Sequence, residues 1–130
     1  MIVVDASALL EVVLRSSRAV AVEAHIFAPG VTLHAPHLVD VEVAQVLRRY
    51  ALAGELDPGR GRAALVDFAD LPLSRYPHHV FLPRIWELRD NLSAYDAAYV
   101  ALAEALEAPL LTCDARLARA AGHRAEIVSV

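Results

Sequence analysis

Short runs of consecutive apolar residues alternate along this chain with longer segments whose apolar positions recur every three to four residues. An uninterrupted apolar run is typical of a strand buried on both faces, and the longer spacing is typical of an amphipathic helix. Strands are predicted at about residues 2–5, 31–33, 71–76, 109–112 and 127–130. Helices are predicted at about residues 7–14, 18–27, 37–53, 58–70, 78–90, 94–106 and 115–121. This alternation predicts an α/β fold whose central parallel sheet of about five strands carries helices on both faces.

The turn signals that separate these elements are proline and glycine residues, and no linker, repeat or low-complexity tract interrupts them. A chain of 130 residues has the size of one domain. Such a domain buries roughly two-thirds of the surface that its unfolded chain exposes. We therefore expect a single domain spanning residues 1–130.

Composition narrows the class of protein. Hydrophobic residues make up 57% of the chain, yet no apolar run has the roughly 18 residues that a membrane span needs. The N-terminus has no basic stretch before an apolar segment, so we expect a soluble, cytoplasmic protein that makes no contact with a membrane. The single cysteine, Cys113, excludes an internal disulfide framework and any CxxC metal site.

The net charge of −4 argues against a general electrostatic attraction for nucleic acid. The basic residues are nevertheless all arginine, whose planar guanidinium suits phosphate. Several are clustered, at Arg48 and Arg49, Arg60 and Arg62, Arg84 and Arg89, and Arg116 and Arg119. Such clusters could form basic patches that bind a phosphate backbone beside an acidic site. Alternatively, these arginines lie on solvent-exposed helix faces and bind nothing. Composition does not distinguish the two.

Four acidic residues occur where a chain of this type would gather them. Asp5 follows the first predicted strand and Asp114 the fourth, and carboxyl ends of parallel strands meet at one crevice. Glu42 and Asp96 each lie in the first turn of a predicted helix, which opens onto that same edge. Converging carboxylates repel one another unless cations neutralise them. The pattern therefore predicts a site for Mg²⁺ or Mn²⁺ and hydrolysis of a phosphodiester.

Helix capping explains each acid separately. Asp5 is a suitable N-cap, either Thr112 or Asp114 is suitable for the short helix that follows them, and Ser93 with Asp96 matches a capping box. Capping does not explain why two acids that end buried strands should accompany two acids in helix first turns. The metal site accounts for all four together.

The third predicted helix offers two acids, Asp40 and Glu42, of which at most one faces the site, because two positions turn an α-helix by about 200°. Both flank the predicted buried stripe, on opposite edges. That stripe consists of Val39, Val43, Val46, Leu47 and Tyr50. Periodicity alone does not choose between the two acids.

These blocks resemble the PIN-domain ribonucleases, specifically the VapC-type toxins of bacterial toxin–antitoxin pairs. The blocks that carry the resemblance are MIVVDASAL at residues 1–9, EVAQVLRR at 42–49, YDAAYVALA at 95–103 and LLTCDARL at 110–117. Each block carries one acid of the family's site, and the second selects Glu42 over Asp40. Their order fits the family along the whole chain.

The resemblance implies a Mg²⁺- or Mn²⁺-dependent endoribonuclease with a PIN-like sheet ordered 3-2-1-4-5. Asp5 and Asp96 would be the principal metal ligands, and Glu42 and Asp114 would complete the catalytic pocket, directly or through water. A water activated by the cation would attack the RNA phosphate and leave the 2′-hydroxyl unused.

The resemblance also implies further groups and partners. Ser7 and Thr112 would orient carboxylates through their hydroxyls. A small VapB-type antitoxin would lay its C-terminal segment across the acids and inhibit the enzyme. The chain would form a homodimer, and a heterotetramer or larger assembly with the antitoxin.

Other families with acids at strand ends do not fit. Phosphoryl-accepting receiver domains need a lysine, which this chain lacks. Haloacid-dehalogenase-like phosphatases need a second aspartate where Ser7 stands, and a dinucleotide-binding fold needs glycines there. The remaining alternative is a catalytically silent PIN-like domain that binds RNA or a protein partner. Loss of an acid would mark it, and all four are present; an adjacent short reading frame for a DNA-binding protein would favour the toxin.

Overall fold

The computed structural model describes all residues, 1–130, and is built on one five-stranded sheet. Every pair of neighbouring strands is parallel, and the order across the sheet is β3-β2-β1-β4-β5. The strands are β1 (Ile2–Val4), β2 (Leu33–Pro36), β3 (Leu73–Tyr76), β4 (Leu110–Thr112) and β5 (Ile127–Ser129). The predicted α/β class and the strand order are confirmed.

Seven α-helices and one 3₁₀ turn, His79–Phe81, connect and cover the strands. The helices are α1 (Ala6–Val13), α2 (Ala19–Ile26), α3 (Val39–Leu52), α4 (Pro58–Asp70), α5 (Leu82–Glu87), α6 (Ala94–Leu106) and α7 (Ala115–Arg119). None of them is both long enough and apolar enough to span a membrane.

The centre of the core lies on strands β1 and β4, which pair directly. Val3, Val4, Leu110 and Leu111 are fully buried. Helix α6 packs against β1, β2 and β4, and α1 contacts β4. Because these strands are covered on both faces, they consist of continuous apolar runs and not of alternating apolar and polar residues.

Two predicted elements differ from the structure. Strand β2 occupies residues 33–36, not 31–33, because Gly30 (φ 78°) completes a turn and pairing with β1 begins at Leu33. The predicted helix over residues 78–90 is a 3₁₀ turn followed by the short helix α5. Pro83 lies in the first turn of α5, where its missing amide hydrogen is tolerated; in mid-helix it would break the hydrogen-bond ladder.

The carboxyl ends of β1 and β4 lead directly into α1 and α7. Asp5 is the N-cap of α1 and Asp114 is the N-cap of α7. The sheet therefore brings the two acids that follow strands to the same edge of the molecule, as the parallel pairing of β1 with β4 requires.

Candidate active site

All four predicted acids line one open cavity of about 780 Å³, hereafter the acidic groove. Each acid comes from the start of a different helix: Asp5 from α1, Glu42 from α3, Asp96 from α6 and Asp114 from α7. The structure thus brings together the four residues that the sequence singled out.

Asp5 is the most deeply buried of the four, with 5% of its surface exposed. Its Oδ1 accepts hydrogen bonds from the Ser7 hydroxyl (2.6 Å) and the Ala8 amide (3.1 Å), and its Oδ2 accepts one from the Thr112 hydroxyl (2.5 Å). Through the bond from the Ala8 amide, Asp5 caps α1, a role for which the sequence had made it a candidate. A carboxylate has about four lone-pair positions, so these three bonds leave about one free.

The two hydroxyls that bind Asp5 are themselves held by backbone amides of the β4–α7 connection. The Cys113 amide donates to Ser7 Oγ, and the Asp114 amide donates to Thr112 Oγ1, each over 3.0 Å. A hydroxyl has one proton, so an oxygen that accepts from an amide keeps that proton for the carboxylate. The structure therefore fixes Asp5 as the acceptor of two oriented hydroxyl groups.

Glu42 is half-buried, and its Oε1 accepts a hydrogen bond from the Tyr99 hydroxyl over 2.6 Å. Tyr99 lies on α6 with 1% of its surface exposed. Burial, followed by the charge of Glu42, raises the pKa of the Tyr99 phenol well above its usual range, so it stays protonated and donates. Tyr99 was not predicted from the sequence as part of the site. The signal that could have identified it is a tyrosine within a buried helical segment made mostly of alanine, valine and leucine.

Asp40, the competing acid on α3, lies elsewhere. Its carboxylate accepts two hydrogen bonds from Arg75 Nε, over 2.8 and 3.0 Å, and does not line the acidic groove. Glu42 is therefore the α3 acid that faces the other three.

Asp96 lies in the first turn of α6, where its amide donates to the Ser93 hydroxyl over 3.1 Å. The return bond of a capping box, from the Ser93 amide to the Asp96 carboxylate, is not formed. Half of the predicted capping box is present, and the half that would occupy the carboxylate is absent. The reciprocal bond of a capping box therefore does not engage the Asp96 carboxylate.

Asp114 caps α7, and its Oδ1 accepts from the Arg116 amide over 2.8 Å. The Arg116 guanidinium lies 3.8 Å from the same oxygen and is largely exposed. Asp114 is thus the acid with a basic side chain beside it.

Burial raises the pKa of Asp5, Glu42 and Asp96, and the negative charge of neighbouring acids raises each of them further. The charge of Asp96 acts on Asp5 and on Glu42, and that of Asp114 acts on Asp96. The hydrogen bonds from Ser7 and Thr112 oppose this rise at Asp5. The acidic groove therefore concentrates negative charge that a cation would relieve.

The donor set of the groove consists of carboxylate oxygens, which a hard cation such as Mg²⁺ prefers. No group of three or more histidine, cysteine, aspartate or glutamate side chains is drawn together tightly enough to hold an ion alone. Mg²⁺ commonly binds through one or two carboxylates and keeps several waters. The groove fits a partly hydrated ion of this kind and not a closed protein cage.

Exposed side chains with basic or aromatic character form the walls of the acidic groove. Arg49 lines it on α3, Arg116 on α7, and Tyr95 stands beside Asp96 with 66% of its surface exposed. Other clustered arginines have structural partners: Arg60 donates to a backbone carbonyl and Arg84 binds carboxylates away from the groove. Among the clustered arginines, Arg49 and Arg116 therefore line the groove, whereas Arg60 and Arg84 have structural partners.

The PIN-domain family model matches residues 2–123 of the chain. Ribonuclease VapC9 of Mycobacterium tuberculosis is 50% identical over 120 residues, which cover 90% of this chain and 88% of that protein. Ribonuclease VapC12 of the same species is 42% identical over 127 residues, covering 98% and 97%.

Solved structures share the fold at low sequence identity. M. tuberculosis VapC20, described as a toxin that cleaves the sarcin–ricin loop, has a TM-score of 0.70 and 14% identity, covering 91% of this chain and 93% of its own. VapBC2 of Rickettsia felis, bound to a DNA fragment from its promoter, has a TM-score of 0.69 and 15% identity, covering 98% of each chain. With its family match and these sequence relatives, the chain belongs to the PIN-domain family, among the VapC ribonucleases.

Proposed function

We propose that the chain is the endoribonuclease toxin of a toxin–antitoxin pair, which hydrolyses RNA with Mg²⁺ or Mn²⁺ held by Asp5, Glu42, Asp96 and Asp114. The observation that carries the proposal is the acidic groove, in which these four carboxylates come from four different helices. The identity of the chain to VapC ribonucleases supports RNA as the substrate.

The roles of the acids follow from their surroundings. Asp5 has an orientation set by two hydroxyls and about one free acceptor position, and the Asp96 carboxylate accepts no hydrogen bond from a backbone amide. These two are the principal ligands in the proposal. Glu42 and Asp114 complete the site, directly or through water, and each has one oxygen engaged by a protein donor while the other is free to face the cation.

A bound divalent cation would neutralise these carboxylates, stabilise charge on the phosphoryl oxygens and lower the pKa of a water. The protein's own part is to position the phosphate and the acids. Arg49 and Arg116, exposed on two walls of the groove, are placed to bind backbone phosphates on either side of the cut. No histidine lines the groove. In the proposal the attacking group is a water activated by the cation, so the 2′-hydroxyl of the RNA is not used.

The proposed partner is a VapB-type antitoxin whose C-terminal segment covers the acidic groove and inhibits cleavage. Arginine and aromatic side chains on the groove walls, with acids on its floor, suit an extended charged segment as well as RNA. A homodimer of the chain, and a heterotetramer or larger assembly with the antitoxin, belong to the same proposal. An adjacent short reading frame that encodes a DNA-binding protein would support it.

Asp96→Asn tests the proposal most directly. The Asp96 amide still bonds to the Ser93 hydroxyl in this variant, so the start of α6 is kept, but the side chain loses the charge that binds a cation. We expect cleavage of RNA in Mg²⁺ or Mn²⁺ to fall by about 100-fold or more. Cleavage of total RNA by the purified chain, with and without a chelator, is the measurement.

Asp67→Asn is the matched control, because Asp67 is an exposed aspartate on α4, outside the groove. It should cleave like the unchanged chain. Chelator-resistant cleavage, or normal cleavage by Asp96→Asn, would contradict the metal mechanism. Binding of RNA without cleavage under any metal condition would instead identify a catalytically silent PIN-like domain.

A further inference from the structure

We infer that Tyr99 is a positioning residue of the acidic groove, which holds the Glu42 carboxylate in place for the divalent cation. The inference rests on the proposed function, since it concerns the same metal site. It begins with the 2.6 Å hydrogen bond from the Tyr99 hydroxyl to Glu42 Oε1.

The side chains of Tyr99 and Glu42 differ in conformational freedom. Tyr99 is 1% exposed and lies in the middle of α6, which packs against three strands of the sheet, so its ring is held by the core. Glu42 is half-buried on α3 and has a flexible side chain with three rotatable bonds. A rigid donor that meets a flexible acceptor fixes the acceptor. The bond therefore sets the position of Glu42, and not that of Tyr99.

The bond occupies one oxygen of Glu42 and leaves the other available. Glu42 Oε2 makes no hydrogen bond to the protein, and Glu42 lines the acidic groove. A carboxylate held through one oxygen presents the second in a defined direction. Residues that do not bind a metal themselves commonly orient its ligands by such hydrogen bonds.

A second tyrosine in the groove provides a control for the proposed role of the Tyr99 hydroxyl. Tyr50 also lines it, on α3 as Glu42 does, but its hydroxyl makes no hydrogen bond to a protein group. If any tyrosine hydroxyl in the groove served the metal site, removal of the Tyr50 hydroxyl would matter as much as removal of the Tyr99 hydroxyl. The geometry assigns the role to Tyr99 alone.

The experiment compares Tyr99→Phe with Tyr50→Phe in the full chain, with Mn²⁺ alone as the probe. Free Mn²⁺ is measured by electron paramagnetic resonance during titration of the protein, without RNA. Tyr99→Phe keeps the ring that fills the core and should weaken Mn²⁺ binding by roughly 10-fold or more. Tyr50→Phe should bind Mn²⁺ as the unchanged chain does.

A double-mutant comparison separates positioning from a general effect on the fold. In a Glu42→Gln background the carboxylate is already lost, so adding Tyr99→Phe should weaken Mn²⁺ binding no further. An equal loss in both backgrounds would show that Tyr99 does not act through Glu42 and would overturn the inference. Circular dichroism of each variant verifies that it is folded; if Tyr99→Phe is not, Glu42→Asp, which keeps the charge but withdraws it from the phenol, takes its place.

The outcomes distinguish this inference from the proposed function. If the unchanged chain binds Mn²⁺ and Tyr99→Phe binds it equally well, the inference fails while the metal site stands. If the unchanged chain binds no Mn²⁺, the metal-dependent function fails, and the role of Tyr99 fails with it.

Discussion

Asp5 shows how much support a single buried carboxylate needs. Two side-chain hydroxyls and one backbone amide donate to it, and each hydroxyl is oriented by a further amide. Burial disfavours its charged form, and these donors offset part of that cost. The carboxylate is thereby kept in one orientation at the floor of the acidic groove.

Thr112→Val removes one of these donors without changing the shape of the side chain. Asp5 Oδ2 loses its hydrogen bond in a buried setting, and the Asp114 amide loses its acceptor in a partly buried one. We expect a loss of about 1–3 kcal/mol in the free energy of unfolding, because buried polar groups are left unpaired. We also expect cleavage to fall by roughly 10- to 100-fold. Urea unfolding and a cleavage assay measure the two effects.

Thr32→Val is the control for the threonine substitution. Thr32 bonds to a histidine ring outside the groove, so the change removes a hydrogen bond without touching the site. Stability should fall slightly and cleavage should not. A Thr112→Val protein that cleaves at the unchanged rate would show that this hydroxyl only stabilises the fold.

At the scale of elements, helix α6 carries both the site and a structural ion pair. Asp96 lies in its first turn, Tyr99 near its middle and Glu104 near its C-terminus. Glu104 accepts two hydrogen bonds from Arg84 of α5 and one from the Arg124 amide. One carboxylate thus joins α6 to the short helix α5 and to the segment before β5.

Glu104→Gln should lower the free energy of unfolding by about 1–3 kcal/mol at neutral pH, because charge-assisted bonds from Arg84 are weakened. The hydrogen bond from Arg84 holds the pKa of Glu104 below its usual range in the folded protein. A depressed folded pKa means that this stability is present above the ordinary value of about 4.3 and is lost as pH falls through the lower, folded pKa. Denaturant unfolding from pH 7 down to about pH 3 is the measurement.

The difference between Glu104→Gln and the unchanged chain should therefore shrink on acidification below about pH 4. Glu87→Gln is the matched control, since Glu87 binds the same Arg84 but has 63% of its side chain exposed. An exposed pair contributes no more than about 1 kcal/mol. Equal effects of the two substitutions, or a gap that does not depend on pH, would refute the role given to Glu104.

At the scale of the whole molecule, the proposed metal site would couple the binding of a cation to folding. Any ligand that binds only the folded chain stabilises it, by about 2.7 kcal/mol at a concentration 100 times its Kd. We expect the Tm to rise with Mg²⁺ or Mn²⁺, by roughly 10 °C at that saturation. Scanning calorimetry at constant ionic strength, with a chelator as the starting point, measures the shift.

Asp96→Asn should abolish most of this metal-dependent shift. In chelator it should be at least as stable as the unchanged chain, because the charge that acts on Asp5 and Glu42 is gone. Asp67→Asn should keep the full shift. A Tm that Mg²⁺ and Mn²⁺ leave unmoved in the unchanged chain would argue against a metal site of useful affinity.

Much of the fold was predictable from the chain itself. Continuous apolar runs identified the buried strands, and the spacing of apolar residues identified most helices to within one or two residues. The failures, at β2 and at residues 78–90, occurred where proline and glycine chemistry competes with the apolar pattern. Local turn geometry and strand pairing decided those boundaries.

The clustering of the four acids was also predictable, because a residue that ends a parallel strand lies at the carboxyl edge of the sheet and helices that open at that edge place their first-turn acids beside it. The hydrogen-bond partners of these acids were harder to predict. Glu42 and Tyr99 are 57 positions apart, and Asp5 and Thr112 are 107 apart. Periodicity tells which face of an element is buried, but not which polar atom on it meets which atom of another element. The amino-acid order thus determined the architecture and the location of the charge, whereas the contact of Tyr99 on α6 with Glu42 on α3 and the pairing of β4 with β1 determined how Glu42 and Asp5 are held.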